Sequence, residues 1–404
     1  MDQAGLYVLL ILVAVPAFYF FAERRTGWGM WTYLPPLLWI YATPLLLRLI
    51  GLLPDQSPVY AGVRAYLLPL FITLLVMTVD LKTVARSLGR GLPVVLVSTL
   101  CVMVTAPLGY LAASAWLPPQ AWLGFGALAG SWIGGTANMA AMEQALGTPP
   151  DQMGLAILAD QSLSLIYLPL MIVAVRFTDR FNAWIGARPI DLGPEEETAA
   201  TPQDAEREAE EGGRIEAAKE NPGNARPDMA DLLTVVAVAL ANVAVCSWVA
   251  ARLPELPPFI SGSTWLVLLV TTGAILLSFT PIRRSQQAPP LGSAILYVFV
   301  ANMGASASLA GFAGAPAFLF GTAIWLALAM LLAVIAAKLM RTDLRIAVLA
   351  LTANIGGVAS NPVVAAAYDR RLVPVALMMA MICYVYANYA AIVTGHLVRI
   401  VAGG

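Results

Sequence analysis

The chain has 404 residues, of which 59% are hydrophobic and only 12% are charged, and its mean hydropathy is +0.77. This composition excludes an ordinary soluble domain, in which about a quarter of the residues are charged, and it predicts a membrane protein. The formal net charge of −1 gives no reason to expect a nucleic-acid partner. The three cysteines lie in apolar runs without metal-ligand spacing, so we expect them to be buried packing residues.

Twelve apolar segments follow one another along the chain, and most approach the roughly 20 residues that span a bilayer. Six of them precede residue 186, near 5–22, 32–53, 63–80, 92–116, 121–142 and 152–177. Six more follow residue 230, near 231–252, 263–281, 292–311, 315–338, 345–366 and 372–398. The similar order of long and short segments predicts an internal repeat, with the first repeat over 1–185 and the second over 231–404.

The intervening residues 186–230 are polar. Half of the protein's 24 acidic residues fall between Asp191 and Asp228, among prolines and glycines. Because such a segment cannot bury enough apolar surface to fold alone, we expect an acidic disordered linker.

The fifth segment of each half contains a glycine pair among small polar residues. The first reads LAGSWIGGTANMAAM around Gly134 and Gly135, and the second reads LALTANIGGVASNPVVAAAY around Gly356 and Gly357. Interrupted apolar helices at corresponding places in two halves are typical of a transporter's binding site.

Counting basic residues indicates how these segments meet the membrane, since arginine and lysine concentrate in cytoplasmic loops. If all twelve segments cross, the count shows no bias. If each glycine segment instead enters and leaves on one side, over about 121–146 and 345–368, fourteen basic residues lie inside and only Arg48, Arg64, Arg252 and Arg399 lie outside. We therefore predict two re-entrant hairpins and five crossings per half.

An odd number of crossings makes the second half insert upside down. The predicted fold is thus an all-α polytopic membrane protein of two inverted repeats, each with five transmembrane helices and one re-entrant hairpin. The termini are expected outside and the linker in the cytoplasm, with the protein in the inner (plasma) membrane. Both hairpin tips would lie near the midplane, where non-helical backbone is tolerated only inside protein or beside a watery cavity.

The hairpin tips predict ion and solute chemistry. The first arm of each hairpin ends in carbonyl oxygens that suit a cation, and the second begins with N–H groups that suit an anion. Asn361 is predicted to cap the second arm ahead of Pro362. Small residues that only cap helices and permit tight packing are the structural alternative. The candidate tip residues are Ser131, Gly134, Gly135, Thr136, Asn138, Thr352, Asn354, Gly356, Gly357, Ser360 and Asn361.

Asp160 is the most informative single residue, because it lies within an apolar segment without a basic residue near it. A charged side chain at that depth costs about 2.5–3.5 kcal/mol and marks a functional site by default. A bound Na⁺ or a proton would remove this cost, which makes Asp160 the candidate metal ligand; a structural hydrogen bond is the alternative. The further candidates for ion or solute binding are Ser162, Ser164, Asn302, Ser306, Tyr384 and Asn388.

Two other acidic residues receive structural interpretations. Asp80 is expected to form a solvated ion pair with Lys82 and Arg86, and Glu143 is expected to face the outer surface.

Three stretches carry a resemblance to known families: SWIGGTANMAAM, NIGGVASNP and LVMTVDLKTVARSLGRG. Through them the chain resembles the YjcL-like multi-pass membrane proteins of unknown function. Its inverted, glycine-paired halves are also similar to the sodium/glutamate and 2-hydroxycarboxylate symporters, although Ala137 and Ala359 stand where those loops favour a further glycine. The resemblance implies sodium-coupled, elevator-type transport and a homodimer.

The sequence thus predicts a secondary transporter, not an enzyme, that couples Na⁺ to a small organic solute and moves its site relative to the first two helices of each half. No cofactor is expected besides the coupling ion, and the partners are the solute and the lipid bilayer. The alternatives are proton coupling or cation/proton antiport, a passive channel, and a non-transporting sensor or scaffold.

Overall fold

The computed structural model describes residues 3–28, 31, 36–89, 91–187, 229–256, 260–306 and 314–403. These ranges form helices joined by short connections, with no strand among them beyond one isolated antiparallel bridge between Leu256 and Ile260. The prediction of an all-α membrane protein is therefore confirmed. Nearly all of the predicted acidic linker falls within 188–228, outside the described residues.

The first half places its helices close to the predicted segments, because long apolar runs without strong breakers satisfy their backbone within a helix. They are α1 (Gln3–Thr26), α2 (Pro36–Leu49), α3 (Pro58–Val76), α4 (Leu81–Leu88), α5 (Gly91–Ala113), α6 (Ala121–Gly134), α7 (Thr136–Leu146), α8 (Pro150–Val173) and α9 (Thr178–Ile185).

The second half contains seven described helices. Its helices are α10 (Met229–Ala250), α11 (Gly262–Leu277), α12 (Ala288–Ser306), α13 (Ala315–Met340), α14 (Leu344–Ile355), α15 (Gly357–Tyr368) and α16 (Val373–Val401).

Eight helices of the described chain are long and apolar enough to cross a membrane, namely α1, α3, α5, α8, α10, α12, α13 and α16. One of the ten predicted crossings is shorter than expected, since α11 has 16 residues. At 1.5 Å per residue it is about 24 Å long, below the roughly 30 Å of a bilayer's hydrocarbon core. Helix α2 ends at Leu49, before the end of its predicted segment, and the predicted beginning at 32–35 lies outside the described residues.

Both predicted helix interruptions are present. Gly135 separates α6 from α7 with φ 93° and ψ 174°, and Gly357 begins α15 with φ 60°. Side chains disfavour these backbone conformations, which explains why glycine occupies both positions. The predicted N-cap at Asn361 is wrong: α15 already begins at Gly357, so Asn361 and Pro362 lie inside it. The positive φ of Gly357 makes the turn itself, and no later cap is needed.

The helices pack as two bundles. We call α5–α8 with α13–α16 the hairpin bundle, and α1–α3 with α10–α12 the peripheral bundle. Within the hairpin bundle α5 and α13 cross closely. A Cβ atom on Gly109 would lie 2.7 Å from the Gly321 carbonyl oxygen, and the Trp325 indole donates to the Val102 carbonyl at 2.8 Å. Small residues thus let these two helix backbones approach each other.

Candidate ion and solute site

The first hairpin consists of α6 and α7, which fold back on each other. A Cβ atom on Gly130 would lie 2.5 Å from the carbonyl oxygen of Asn138, so the arms touch backbone to backbone. The Asn138 amide nitrogen donates to the Gly134 carbonyl at 2.8 Å and satisfies one of the last acceptors of α6. The Thr148 hydroxyl donates to the Leu123 carbonyl at 3.3 Å, which places the end of α7 beside the start of α6.

The second hairpin consists of α14 and α15 and lies at the other end of α8. The backbone N–H of Leu344 donates to the Asn182 side chain at 2.9 Å, just beyond α8. The Tyr368 hydroxyl donates to the Met171 carbonyl at 2.7 Å, in the last turn of α8. The first hairpin has its open end at the beginning of α8 and the second at its end, so the two point toward each other.

Helix α16 runs past the same two hairpins in the opposite direction. Near its beginning the Ala376 carbonyl accepts a hydrogen bond of 2.8 Å from Asn361 of the second hairpin. Near its end Gly395 packs on Gly126 of the first hairpin, 3.4 Å from the Cβ position of Gly395 to the Cα of Gly126. The last long helices of the two halves therefore pass the hairpins in opposite orders.

The two hairpins meet at their glycines. A Cβ atom on Gly357 would lie 3.6 Å from the Cα of Gly135. A Cβ atom on Gly134 would collide with Ala387 of α16 at 2.2 Å, so this glycine lets α16 approach the tip. Gly356 has an ordinary φ of −97° and packs close to Thr352 and Ser360. The left-handed backbone of the turn is therefore at Gly357.

Asp160 lies beside the first arm, one turn before the tip. Its Oδ1 accepts hydrogen bonds of 3.1 Å from the Ser131 hydroxyl and from the Trp132 indole N–H. Its Oδ2 accepts from the Gln161 amide at 3.3 Å, and the side chain is 4% exposed. No basic residue of the described chain forms an ion pair with Asp160, so neutral donors alone compensate a buried carboxylate.

The first arm of the second hairpin is anchored by hydroxyl groups. Thr352 and the Tyr167 hydroxyl of α8 share a buried hydrogen bond of 3.1 Å. Asn354 accepts from Thr99 of α5 at 2.7 Å, and Thr99 also contacts the Tyr386 hydroxyl at 2.6 Å. Helix α8 thus joins both hairpins, through Asp160 to the first and through Tyr167 to the second.

In the part of the chain that the structure describes, three buried asparagines donate their amide groups but leave their carbonyl oxygens without a hydrogen-bond partner. Asn361 bonds to Ala376, as described. Asn388 of α16 donates to Thr271 of α11 at 2.8 Å, across the two bundles. Asn302 donates to the Tyr60 carbonyl at 3.3 Å inside the peripheral bundle. An unpartnered amide oxygen is a suitable cation ligand, although these three lie on different helices.

The remaining predicted residues lie around this group. Thr136 is the first residue of α7 and lines a cavity between the bundles, and Ser360 bonds to Gly356 through its backbone. Ser306 bonds only to its own helix, at the Asn302 carbonyl. Ser162, Ser164 and Tyr384 are half-buried, and no hydrogen bond joins them to Asp160 in the described chain.

That cavity is small, about 10 Å³, which is roughly the room that one water molecule needs, and it is partly open to solvent. Its hairpin-bundle side is lined by Thr136, Met139, Ile157 and Gln161, and its peripheral side by Leu37, Tyr41, Val300 and Met303. Since Gln161 also bonds to Asp160, the cavity adjoins the buried carboxylate.

The structure bears on two predictions about acidic residues. Asp80 pairs with Arg283 of the second half at 3.2 Å, a partner that was not predicted, and the side chain of its predicted partner Lys82 lies outside the described residues. Glu143 is 5% exposed and pairs with Arg64 of α3 at 3.2 Å, so it does not face the outer surface. Arg283 and Arg64 are distant in sequence from Asp80 and Glu143, so the spacing of charged residues along a single helix does not predict these ion pairs.

Charged residues hold the open end of the second hairpin. Asp343 pairs with Arg345 at 2.9 Å and accepts from Asn182 at 2.9 Å. Asp369 pairs with Arg371 at 2.6 Å, and this hydrogen bond lowers the pKa of the Asp369 carboxyl below its usual value.

Sequence reasoning missed Trp132, Gln161, Thr99 and Tyr386 as neighbours of the candidate residues. Trp132 and Gln161 are adjacent in sequence to predicted residues and could have been included on that ground. Thr99 and Tyr386 meet Asn354 only through the packing of α5 and α16, so no local pattern indicates them.

Eight membrane-length helices in the described chain and a buried carboxylate beside the first broken helix define an integral membrane protein with a polar site inside its helical bundle. Comparison with known proteins gives the family. The chain belongs to the family described as "Protein of unknown function (DUF819)", whose model matches residues 10–401. It is 26% identical over 359 residues to the uncharacterized membrane protein YjcL of Bacillus subtilis (strain 168), covering 86% of this chain and 85% of that protein. The YjcL-like resemblance is therefore confirmed, and the similarity to sodium/glutamate symporters stays a prediction.

Proposed function

We propose that the protein is a secondary transporter that couples Na⁺ to the movement of a small organic solute. The observation that carries this proposal is the meeting of two oppositely directed broken-helix hairpins at Gly135 and Gly357, one turn from the buried Asp160. Discontinuous helices that point at one another between repeated halves are the usual way in which transporters build an ion and solute site.

The proposal includes inverted repeats with re-entrant hairpins. Each half supplies one hairpin, and the hairpins enter from opposite ends of α8. Helices α8 and α16, which end the two halves, pass these hairpins in opposite orders. This arrangement is expected when the second half is inserted upside down relative to the first.

In this proposal Na⁺ binds beside Asp160. Three neutral donors reduce the cost of burying the carboxylate but leave its full negative charge, which a cation would neutralise. The Ser131 hydroxyl is already within 3.1 Å of Oδ1 and offers a second oxygen ligand. Sodium is a hard cation that prefers such oxygen atoms over nitrogen or sulfur.

The solute would enter at the cavity between the bundles, at the beginning of α7, and this cavity must widen to admit it. Its lining is mostly apolar, with hydrogen-bonding groups from Thr136, Tyr41 and Gln161 and no charged side chain. A negative group of the solute would therefore depend on the N-terminus of α7 and on bound Na⁺. Elevator-type movement of the hairpin bundle against the peripheral bundle would then expose the site to each side of the membrane in turn.

The proposal can be tested by thermal unfolding of the purified protein in Na⁺, Li⁺ and K⁺ at equal ionic strength. An ion that binds only the folded state raises the stability of that state. We expect a rise in the unfolding temperature with Na⁺ that K⁺ does not reproduce. A response to pH without one to Na⁺ would replace sodium coupling by proton coupling. A response to neither ion contradicts the coupled-transport proposal and leaves a channel or a sensor.

Deletion of residues 191–228 separates a transporter from a sensor that works through its acidic segment. If the protein is a transporter, the Na⁺ response of the deleted form should match that of the full chain. If the deleted form loses the Na⁺ response but keeps its unfolding temperature in the absence of Na⁺, a sensor that works through the acidic segment is favoured.

A further inference from the structure

A charged contact joins the two bundles at the open end of the first hairpin. Arg64 of α3 lies 3.2 Å from Glu143 in the last turns of α7. In the same region the Thr264 hydroxyl of α11 donates to the Ala145 carbonyl at 2.6 Å, and Ser261 reaches the same carbonyl at 3.4 Å. These contacts fasten α7 to the peripheral bundle.

The second hairpin has no equivalent attachment. Its charged residues pair locally, Asp343 with Arg345 and Asp369 with Arg371. Within the described ranges no hydrogen bond or ion pair joins α14 or α15 to the peripheral bundle; their side chains bond to α5, α8 and α16 instead. The structure therefore has the first hairpin docked on the peripheral bundle and the second undocked from it.

The two members of the pair differ in burial. The Glu143 side chain is 5% exposed, whereas the Arg64 side chain is 34% exposed. Among the described residues, neither the second carboxylate oxygen of Glu143 nor the Tyr41 hydroxyl has a hydrogen-bond partner. Arg64 is thus the main compensation for the Glu143 charge. It lies in a π-helical stretch of α3, a local distortion that is frequent at functional sites.

Few other ionisable groups face this pair. Helices α6 and α11, which pack against α7, carry no ionisable side chain, and Tyr297 of α12 packs on Phe20 instead. Helix α16 brings His396 and Arg399 to this end, where Arg399 lies over the Trp122 ring at 5.2 Å. On α3 itself Tyr66 is exposed and Tyr60 bonds to the Pro54 carbonyl.

We propose that Arg64 is the counter-ion that allows Glu143 to be buried, and that the first hairpin closes against the peripheral bundle only while the Glu143 charge is compensated. Opening of the site toward this end then requires the pair to separate. Arg64 and Glu143 act as positioning residues of a gate. The proposal goes beyond the proposed function, because it concerns which hairpin is docked and does not depend on the identity of the ion or solute.

The difference in burial predicts unequal effects of the two partners. Removing Arg64 leaves a buried carboxylate without a counter-charge, which is strongly unfavourable unless the carboxylate takes up a proton. Removing the Glu143 charge leaves Arg64, which already reaches solvent and can stay hydrated. Arg64→Met should therefore undock the hairpin at neutral and high pH and allow docking at low pH, whereas Glu143→Gln should stay docked at all pH values.

Cross-linking of a cysteine pair at Ala145 and Ser261 measures docking in the full chain, after Cys101, Cys246 and Cys383 have been replaced. A protease site inserted within residues 191–228 makes the cross-link visible, because the two halves stay joined on a denaturing gel only when the bridge has formed. Mercuric ion serves as the cross-linker, and each yield is normalised to the parent protein at the same pH.

At about pH 8 we expect Arg64→Met to lower the cross-linking yield by about ten-fold and a lower pH to restore it, as the loss of a counter-charge to a buried acid implies. The double variant Arg64→Met/Glu143→Gln should cross-link like the parent at every pH. Arg252→Met is the matched control. It removes the same charge at another place, because Arg252 packs on Trp248.

The proposal is overturned if Arg64→Met cross-links as well as the parent protein at high pH. It is also overturned if the double variant does not restore the cross-linking yield. If Arg64→Met cannot be purified as a monodisperse protein, the exchanged pair Arg64→Glu/Glu143→Arg takes its place. If the exchanged pair then cross-links no better than Glu143→Arg alone, the proposal is overturned as well.

Discussion

Gly135 and Gly357 lie against each other although 222 positions separate them, with 3.6 Å between the Cβ position of Gly357 and the Cα of Gly135. Each residue is the turn of a helical hairpin, and each has a positive φ. The contact joins the tips of two hairpins from different halves of the chain. It brings the ends of four short helices together, where their N–H and carbonyl groups can serve an ion or a solute, and the buried Asp160 lies beside the first of these helices.

Replacing either tip glycine should destabilise the protein through backbone strain. Gly135→Ala and Gly357→Ala would force a side chain into a conformation that costs about 1–3 kcal/mol. For Gly135 the cost comes from the backbone alone, because no atom lies within 4 Å of its Cβ position. Thermal unfolding should show a lower midpoint for both variants. Gly314→Ala is the control, with φ −83° and equally open surroundings, and it should unfold like the parent.

The hydrogen bond between Tyr167 and Thr352 should couple α8 to the second hairpin. Both residues are buried, so a double-mutant cycle with Tyr167→Phe and Thr352→Val should give a coupling free energy of about 1 kcal/mol in unfolding measurements. Thr105→Val provides the control, because the Thr105 hydroxyl bonds only within its own helix. Strictly additive effects of the first two substitutions would show that the bond contributes no stability.

The proposed opposite entry of the hairpins can be tested by labelling. Gln120 precedes the first hairpin and Ala367 lies at the end of the second, and both are exposed. A membrane-impermeant thiol reagent should label Gln120→Cys in intact cells and Ala367→Cys only after permeabilisation. The native cysteines are buried and give a low background. Labelling of both positions from the same side would contradict inverted repeats.

Ser131 and Trp132 should affect Na⁺ binding in opposite directions. Both donate to Oδ1 of Asp160, but only the Ser131 hydroxyl also has lone pairs that can coordinate a cation. Ser131→Ala should therefore weaken the thermal stabilisation by Na⁺. Trp132→Phe removes a donor that competes for the carboxylate, so it should preserve or strengthen the response. Similar losses in both variants would indicate that the hydrogen bonds to Asp160 serve only to hold the arm in place.

Much of the fold could be predicted from local sequence. The long apolar runs predict the helices because a membrane segment must satisfy its own backbone hydrogen bonds, and the glycine pairs predict the breaks because few other residues tolerate a positive φ. The C-terminal end of α2 and the length of α11 were less predictable. Apolar residues that continue past a helix end, as at Ile50–Leu53, have the same hydropathy as residues inside a helix.

The partners within the site were not predictable from local patterns. Asp160 was identified from its charge, but its contact with Trp132 and the contact of Glu143 with Arg64 depend on how distant helices pack. The N-cap was expected at Asn361 because asparagine before proline commonly starts a helix. In the structure the helix starts four residues earlier, at Gly357, whose positive φ makes the turn. Tertiary packing at the hairpins decided these details.

Direct binding of radioactive sodium to the purified protein tests the central claim, which is that Asp160 holds the coupling ion. We expect saturable binding to the parent protein and none to Asp160→Asn, with both proteins shown to be folded by their unfolding temperatures. Asp151→Asn is the control, because it removes a half-buried carboxylate from the first turn of the same helix and should leave binding intact. Equal sodium binding by Asp160→Asn and the parent would contradict the account.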